Sequence, residues 1–286
     1  MYTTQITNGT NNMNFQEWCI SQKDKVKNQF KQLMGYEPNL DNPKTICEKL
    51  NWMKIYDSTF LKTYCADKLL VQDYVKSKLG IDLSIPVLGV YNKFEEIDFS
   101  KLPKNYVIKC NHGSGMNIIV KNGNINKLEA KQKLDKWMKT DYLHLYEFHY
   151  KPIQKKIFIE EYKDNGVDGL IDYKFWCFNG EPKFYGVNAG HGHGAINYYN
   201  IDGTDFMYQR SDYSANKNAA WEKPKNFEKM IEYSKKLSED FKFVRVDFYE
   251  INDKIYLGEL TFIPGGGYIK YNGNGDEEIG KMLDLQ

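Results

Sequence analysis

The sequence predicts an α+β protein in which a mainly helical N-terminal region precedes two lobes that contain sheet. Apolar residues recur at helical spacing through roughly the first 80 residues, and strand patterns dominate from Ile85 to Thr261. Helices and strands follow one another without the regular βαβ alternation of a parallel sheet. We therefore expect four parts: a disordered tail (1–14), a helical region (15–100), a small lobe (101–163) and a large lobe (164–286).

The N-terminal third carries the helical patterns. The tail is rich in Thr and Asn and has no apolar period, which is typical of a disordered segment. Beyond it, apolar spacing predicts helices at 15–33, 44–55 and 66–79, the last of which ends at Gly80.

The two lobes are predicted from alternating apolar residues and from turn signals such as Asn122-Gly123. Strands are expected at 86–90, 105–110, 117–121, 156–162, 170–178, 181–188, 243–250 and 254–261. Helices are expected at 127–139 and 226–240, and a short helix follows a glycine-rich loop near the C-terminus.

Composition argues against several classes of partner. The 39 basic and 38 acidic residues nearly balance, so no global field attracts nucleic acid or an anionic membrane. No apolar run approaches the ~20 residues that cross a bilayer, and the N-terminus lacks the apolar stretch of a signal peptide. The five cysteines are scattered without paired spacing, as free thiols in a reducing compartment would be. We expect a cytoplasmic protein with no transmembrane segment and no nucleic-acid partner.

A glycine loop between two strands suggests anion binding. Lys109 lies near the end of one predicted strand, and Gly113-Ser114-Gly115 follows it. Small residues let backbone N–H groups approach a phosphate, and the lysine adds a point charge. The order of these residues fits neither the Walker nor the Rossmann pattern, and similar loops occur in proteins that bind nothing.

Two adjacent strands near the C-terminus carry charged residues among apolar ones. Alternation places Arg245 and Asp247 on one face and Glu259 and Thr261 on another, and the two carboxylates and the hydroxyl can converge if the strands pair. Such oxygen ligands suit Mg²⁺ bound with a polyphosphate. Only two arginines occur in this lysine-rich chain, so Arg245 points to a need for a guanidinium fork rather than for charge alone.

Further polar clusters are weaker signals when taken singly. Glu160-Glu161-Tyr162 ends one strand, and Asp172 and Lys174 lie on the next. The sequence Gly190-His191-Gly192-His193-Gly194 suggests either a metal or base site or, as we favour, a loop that covers an active site.

Taken in order, these clusters resemble the ATP-grasp superfamily, and most closely its TupA-like branch, named after a teichuronopeptide-synthesis protein. The similarity runs from about Asp67 to Leu285. It is carried by Asp67-Lys68, Tyr74-Val75, Val107-Ile108-Lys109, His112-Gly113-Ser114-Gly115, Ile159-Glu160-Glu161, Asp172-Tyr173-Lys174, Arg245-Val246-Asp247, Gly258-Glu259-Leu260-Thr261-Phe262 and Pro264-Gly265-Gly266.

The resemblance implies an ATP-grasp fold in which two α+β lobes enclose ATP, with Mg²⁺ as cofactor. The residues that it assigns to ATP are Lys68, Lys109, His112, Gly113, Ser114, Gly115, Glu160, Glu161, Tyr162, Asp172 and Lys174. Asp247 and Glu259 would bind the metal, and Thr261 stands where many members have a third ligand, Asn. Arg245 and the N–H of Gly265 would surround the reacting carboxyl group.

The activity that the resemblance implies is a carboxylate–amine ligase that forms an acyl phosphate. Its substrates would be a uronic acid or amino-acid carboxylate and an amine, in the assembly of a bacterial surface polysaccharide such as a capsule. The resemblance further implies association with other enzymes of that assembly. Three alternatives stay open: a small-molecule or sugar kinase, a glycosyltransferase of the same pathway, and a nucleotide-binding protein without turnover.

Overall fold

A computed structural model of the chain describes residues 5–8, 11–164, 170–189, 196–212 and 223–286. The α-helices are α1 (Phe15–Ser21), α2 (Lys23–Met34), α3 (Ile46–Tyr56), α4 (Phe60–Ala66), α5 (Val71–Leu79), α6 (Lys127–Lys139), α7 (Phe227–Ser238) and α8 (Gly275–Gly280). The strands are β1 (Gln5–Asn8), β2 (Asn11–Asn14), β3 (Val87–Tyr91), β4 (Tyr106–Cys110), β5 (Asn117–Val120), β6 (Ile157–Glu161), β7 (Ile171–Phe178), β8 (Glu181–Ala189), β9 (Ile196–Asn200), β10 (Phe243–Ile251) and β11 (Lys254–Thr261). This mixture of helices and antiparallel sheets confirms the α+β class.

Two antiparallel sheets carry most of the strands. The first has the order β3-β6-β4-β5, and the second has the order β11-β10-β7-β8-β9. The expected division at residue 100 falls after β3, the edge strand of the first sheet. The expected helix 127–139 and strand 254–261 match α6 and β11, whereas the sequence patterns did not predict β9.

Within the expected tail, β1 and β2 pair as a short antiparallel ladder with Gln5 opposite Asn14. Asn14 also begins α1, since its side chain accepts a hydrogen bond from Glu17 N at 2.9 Å in a capping box.

The helix expected at 15–33 is two helices, α1 and α2, which meet at Gln22. The N–H of Gln22 bonds to Cys19 O at 3.1 Å, three residues back, and this tighter turn ends α1. Apolar spacing continues across the break, so periodicity alone did not reveal it.

A second break changes the position of a candidate site residue. The helix expected at 66–79 begins only at Val71, and Asp67 ends α4 with φ −70° and ψ 113°. The carboxylate of Asp67 accepts a hydrogen bond from Leu69 N at 2.9 Å, which stabilises a turn. Lys68 therefore lies in a turn between two helices.

Three clusters of buried apolar residues hold these layers together. The largest packs α3, α5 and α7 against the five-stranded sheet, and a second fills the space between the four-stranded sheet and α6. The third joins α1 and α2 to Phe148, which is 1% exposed. Burying a side chain of this size contributes ~1.5–3 kcal/mol, so the segment that carries Phe148 is firmly anchored.

Candidate functional site

Three charged side chains form a row across three neighbouring strands of the second sheet. The register places Lys174 of β7 opposite Asp247 of β10, and Asp247 opposite Glu259 of β11. Side chains of residues directly opposite lie on the same face of a sheet, so all three side chains of the row lie on one face. The predicted convergence of the two carboxylates is thus present in the structure, on a single face.

A β-bulge adjoins this row. The register between β10 and β11 shifts after Asp247, so that Gly258 is the extra residue on β11. A Cβ atom at Gly258 would approach the ring of Tyr249 to 3.0 Å and the carbonyl oxygen of Asp247 to 3.3 Å. Glycine therefore permits the close approach that sets the bulge beside Glu259.

Arg245 joins the carboxylates of the row. Its Nε and Nη2 atoms donate to Asp247 Oδ1 at 2.7 Å and to Asp247 Oδ2 at 2.6 Å. Nη2 also donates to Glu259 Oε1 at 3.2 Å and to Thr261 Oγ1 at 3.0 Å. Lysine has no fork of this shape, which explains an arginine in a chain that otherwise uses lysine.

Neighbouring charges shift the pKa values of the side chains in this row. Burial would raise the pKa of Glu259, but Lys68, Arg245 and Lys174 outweigh burial and lower this pKa to about 2. Burial likewise favours the neutral amine of Lys174, yet Asp247 and Asp172 prevail and raise its pKa. Lys174 Nζ lies 2.8 Å from Asp247 Oδ2 and 3.2 Å from Asp172 Oδ1. The carboxylate of Glu259 and the ammonium of Lys174 are therefore charged at neutral pH.

The donor set of the row suits a hard divalent cation. Asp247 and Glu259 offer carboxylate oxygens, and Thr261 offers a hydroxyl that donates to Glu259 Oε1 at 2.8 Å. Within the part of the chain that the structure describes, no group of three or more His, Cys, Asp or Glu side chains forms a metal site. Mg²⁺ characteristically takes one or two carboxylates and completes its shell with water and phosphate oxygens. The residues present fit such an ion.

Asp172 belongs to the same neighbourhood. Burial raises the pKa of its carboxyl group, and the charges of Asp247 and Glu259 act in the same direction. The charge of Asp172 and burial together raise the pKa of Tyr249. The sequence patterns did not single out Tyr249, although it follows Asp247 by two residues and so shares its face of β10.

The other wall of the site is the first sheet. Lys109 of β4 and Glu160 of β6 form an ion pair there, with side chains 26% and 10% exposed. Lys68 reaches the same region from the turn before α5, because its Nζ donates to Gly113 O at 2.7 Å. The hydrogen bond from Lys68 therefore connects the glycine loop to the helical region.

Within the glycine loop, a neighbouring aromatic ring leaves room only for glycine at position 113. A Cβ atom at Gly113 would lie 2.7 Å from a ring carbon of Tyr142, so any side chain would collide with that ring. Ser114 and Gly115 are exposed, and Gly115 has φ +71°. His112 instead points into the protein, 1% exposed, with Nε2 3.1 Å from Trp137 O. The structure thus places His112 behind the loop rather than in the site.

A cavity of about 290 Å³ lies between the two walls. Lys68, Lys109 and Glu160 line it, together with Gln72, Tyr249 and Leu257, which the sequence did not indicate. Glu161 and Tyr162 are not among its lining residues: Glu161 pairs with Lys163 at 2.7 Å, and the hydroxyl of Tyr162 donates to Asp164 at 2.9 Å.

Gly265 lies in a glycine turn, residues 264–267, four residues beyond Thr261. It has φ +58°, a conformation that favours glycine, and a Cβ atom there would lie 2.5 Å from Ile269 Cγ1. In the described part of the chain no group accepts a hydrogen bond from the N–H of Gly265, and the residue is exposed. This N–H is available to a ligand. His191 and His193 lie outside the described residues.

The chain is similar to one described protein family. The protein-family model described as TupA-like ATPgrasp matches residues 48–284. No curated protein sequence is significantly similar to the chain. Among the described residues, every helix is too short or too polar to cross a membrane.

Several solved structures of ligases resemble the chain at low sequence identity. An L-amino acid ligase from Bacillus licheniformis is 15% identical, with a TM-score of 0.47, over 86% of this chain and 56% of that one. D-Ala–D-Ala ligase from Helicobacter pylori is 18% identical, with a TM-score of 0.43, over 78% and 60%. The ATP complex of D-Ala–D-Ala ligase from Bacillus anthracis is 17% identical, with a TM-score of 0.42, over 71% and 55%. The chain thus spans little more than half the length of each.

Proposed function

The chain belongs to the TupA-like ATP-grasp family, and from this premise we propose that it is an ATP- and Mg²⁺-dependent carboxylate–amine ligase. The observation that carries the proposal is the contact of Arg245 with both Asp247 and Glu259. The guanidinium of Arg245 contacts both candidate metal ligands. It would therefore lie beside the point where the substrate carboxylate meets the γ-phosphoryl group of ATP.

We assign the cations around the cavity to the phosphates of ATP. Lys68 and Lys109 line the cavity, and Lys174 lies at the end of the charged row. The adenine and ribose would lie toward Glu160 and the segment that continues to Tyr162. The exposed backbone of Ser114 and Gly115 would close over the phosphates.

Asp247, Glu259 and the hydroxyl of Thr261 would hold Mg²⁺. When bound, the ion would neutralise negative charge that develops on the transferring phosphoryl group. Each of these oxygens already contacts Arg245. These residues would therefore exchange one cationic neighbour for another when the substrate enters.

The reaction would proceed in two steps. First, the substrate carboxylate attacks the γ-phosphorus of ATP, which forms an acyl phosphate and releases ADP. Then an amine attacks the acyl carbon, a C–N bond forms, and phosphate leaves. Arg245 and the free N–H of Gly265 would stabilise the oxyanion of the tetrahedral intermediate, and one such donor contributes about 3–4 kcal/mol to transition-state stabilisation.

For the substrate, we propose a uronic acid or an amino-acid carboxylate, joined to an amine during surface polysaccharide assembly in the cytoplasm. The family name supports this class through the resemblance described above, since the TupA-like branch is named after a teichuronopeptide-synthesis protein. Association with other enzymes of that assembly would follow from a saccharide substrate.

The test is an ADP-release screen of uronic acids, nucleotide sugars and amino acids, each with and without primary amines. We expect ADP and phosphate only when a carboxylate and an amine are both present, together with an amide product in the mass spectrum. A stable phosphorylated product would instead identify a kinase. Cleavage of a nucleotide sugar without ATP would identify a glycosyltransferase, and binding of ATP without turnover would leave only a nucleotide-binding protein.

A further inference from the structure

Glu147 is a buried carboxylate that has no partner among the described residues. It is 6% exposed, and within those ranges no hydrogen bond or ion pair reaches its oxygens. Buried carboxylates are normally paired, since leaving water is costly for a charge. The structure therefore retains a carboxylate that no side chain of the described ranges neutralises by direct contact.

The segment that carries Glu147 passes between the two glycine segments of the proposed active site. On one side, the ring of Tyr142 lies against Gly113. On the other side, Leu145 lies so close to Gly266 that an added Cβ atom would approach it to 2.5 Å. Glu147 does not line the nucleotide cavity. The segment is thus fixed beside the glycine turn that carries Gly265, the proposed oxyanion donor.

The charges that act on Glu147 are those of the active site and of one buried lysine. Burial raises the pKa of Glu147, and the positive charge of Lys54 lowers it. The negative charge of Glu259 raises this pKa further, whereas Lys68 and Arg245 lower it.

Lys54 does not neutralise Glu147 by direct contact. Its Nζ donates to Asn51 Oδ1 at 2.8 Å and to Tyr268 Oη at 3.1 Å, and it forms no ion pair with Glu147 within 4.0 Å. Asn51 in turn donates to Gly267 O at 2.9 Å, which attaches this network to the glycine turn. The position of Lys54 is therefore set by neutral groups, and the carboxylate of Glu147 stays free to bind a second cation.

We propose that Glu147 binds the ammonium group of the amine substrate beside the reacting acyl phosphate. This rests on the proposed ligase function, which requires an amine at that place. An ammonium group supplies both the positive charge and the hydrogen-bond donors that Glu147 lacks. The substrate class is thus a primary amine that is protonated in solution.

The proposed site also accounts for the protons of the second step. The bound ammonium gives one proton to Glu147 and becomes a neutral amine, whose lone pair forms the C–N bond. The C–O bond to phosphate breaks with its electron pair on the leaving oxygen. The second proton leaves the nitrogen with the phosphate as hydrogen phosphate, and Glu147 returns its proton to solvent. The product is an amide.

The experiment compares two kinds of nucleophile on Glu147→Gln in the full chain, with ATP, Mg²⁺ and a carboxylate from the ADP-release screen. Hydroxylamine is a weaker base than the primary amines, so at about pH 7 it is mostly uncharged while they are mostly protonated, and it traps the acyl phosphate as a hydroxamate. Glycine amide, ethanolamine, L-lysine and glucosamine serve as the primary amines. We expect hydroxamate formation within about threefold of the parent and amide formation lower by about 30-fold or more, the loss typical when a buried charge pair loses one partner.

Glu48→Gln is the matched control, because Glu48 is also 6% exposed but accepts hydrogen bonds from the N–H groups of Asn39, Lys44 and Thr45. It should lower Tm and leave the ratio of amide to hydroxamate unchanged. Glu147→Gln should not lower Tm, since no described residue forms a hydrogen bond or ion pair with its carboxylate.

A parallel fall of both products in Glu147→Gln, or an unchanged rate of amide formation, would overturn the proposal, as would a parent enzyme that forms hydroxamate but no amide with any of the four amines. If the parent forms neither ADP nor hydroxamate with any carboxylate, the ligase function itself fails. The two failures are therefore distinguishable.

Discussion

Asp247 and Glu259 lie directly opposite each other on paired antiparallel strands, and the guanidinium of Arg245 hydrogen-bonds to both. Like charges in opposite positions repel, so an unneutralised pair would weaken the pairing of β10 and β11. Arg245 and Lys174 supply the missing positive charge. Four predictions test what this cluster does.

Replacement of Glu259 by Gln should abolish ATP turnover and leave the fold intact. The amide keeps the shape of the side chain but removes one of the two candidate metal carboxylates, so we expect kcat to fall by about 10²-fold or more. ADP release and circular dichroism would measure the two effects. Glu181→Gln, at an exposed ion pair with Lys235, is the control and should keep parental activity. Parental turnover in Glu259→Gln would refute the metal assignment.

The stability difference between the parent and Glu259→Gln should depend on pH. The folded-state pKa of Glu259 is about 2, below its ordinary value near 4.3, so its ionised form stabilises the folded state. This contribution, of the order of 1–3 kcal/mol, is complete above about pH 5 and declines as pH falls toward 2. Melting temperatures of both proteins between about pH 7 and pH 3 should therefore converge toward acid. A constant difference would mean that Glu259 is not held ionised by its cationic neighbours.

Arg245→Lys should be far from conservative. Lysine keeps the charge but cannot reproduce the two parallel hydrogen bonds to Asp247 at 2.7 and 2.6 Å. We expect kcat/KM for ligation to fall by about 10²–10³-fold. The chain offers a matched control in its other arginine, Arg210, which makes a similar fork to Asp212. Equal effects of Arg245→Lys and Arg210→Lys would show that the geometry of Arg245 matters only for folding.

Gly265→Ala should lower both stability and kcat. The positive φ and the 2.5 Å approach to Ile269 predict a loss of ~1–2 kcal/mol in the free energy of unfolding and a displaced N–H. Gly35→Ala isolates the conformational part, because Gly35 has φ +84° but open space around its Cβ position. Chemical denaturation and initial rates would be compared for both variants. If kcat is unchanged in Gly265→Ala, the N–H of Gly265 is not the oxyanion donor.

The sequence predicted the charged cluster well because it depends on strand alternation. Arg245 and Asp247 are two residues apart on one strand, and Glu259 and Thr261 are two apart on the next, so any tight connection brings them near one another. The bulge at Gly258 sets the final register, and no periodic pattern reveals it. The family resemblance found from these residues is confirmed by the family model.

Residues on irregular backbone were harder to predict. Lys68 was included through resemblance alone, since the apolar spacing of 66–79 suggested a continuous helix rather than the turn after Asp67. Glu147 lies in a segment without any period, and its burial results from tertiary packing of its neighbour Phe148. His112 belongs to the glycine motif, yet its side chain faces the carbonyl of Trp137. Sequence position near a motif does not determine side-chain direction.

Within the protein, three cations of the site are matched with carboxylates: Lys109 with Glu160, and Lys174 and Arg245 with Asp247. Lys68 instead donates to Gly113 O. A phosphate ion that bound alone would pair with the cations and leave the carboxylates unpaired. A metal ion that bound alone would pair with the carboxylates and leave the cations unpaired. Only a ligand that brings both signs of charge at once can exchange every partner without leaving a bare charge behind. The site should therefore bind a metal–nucleotide complex in preference to either component alone.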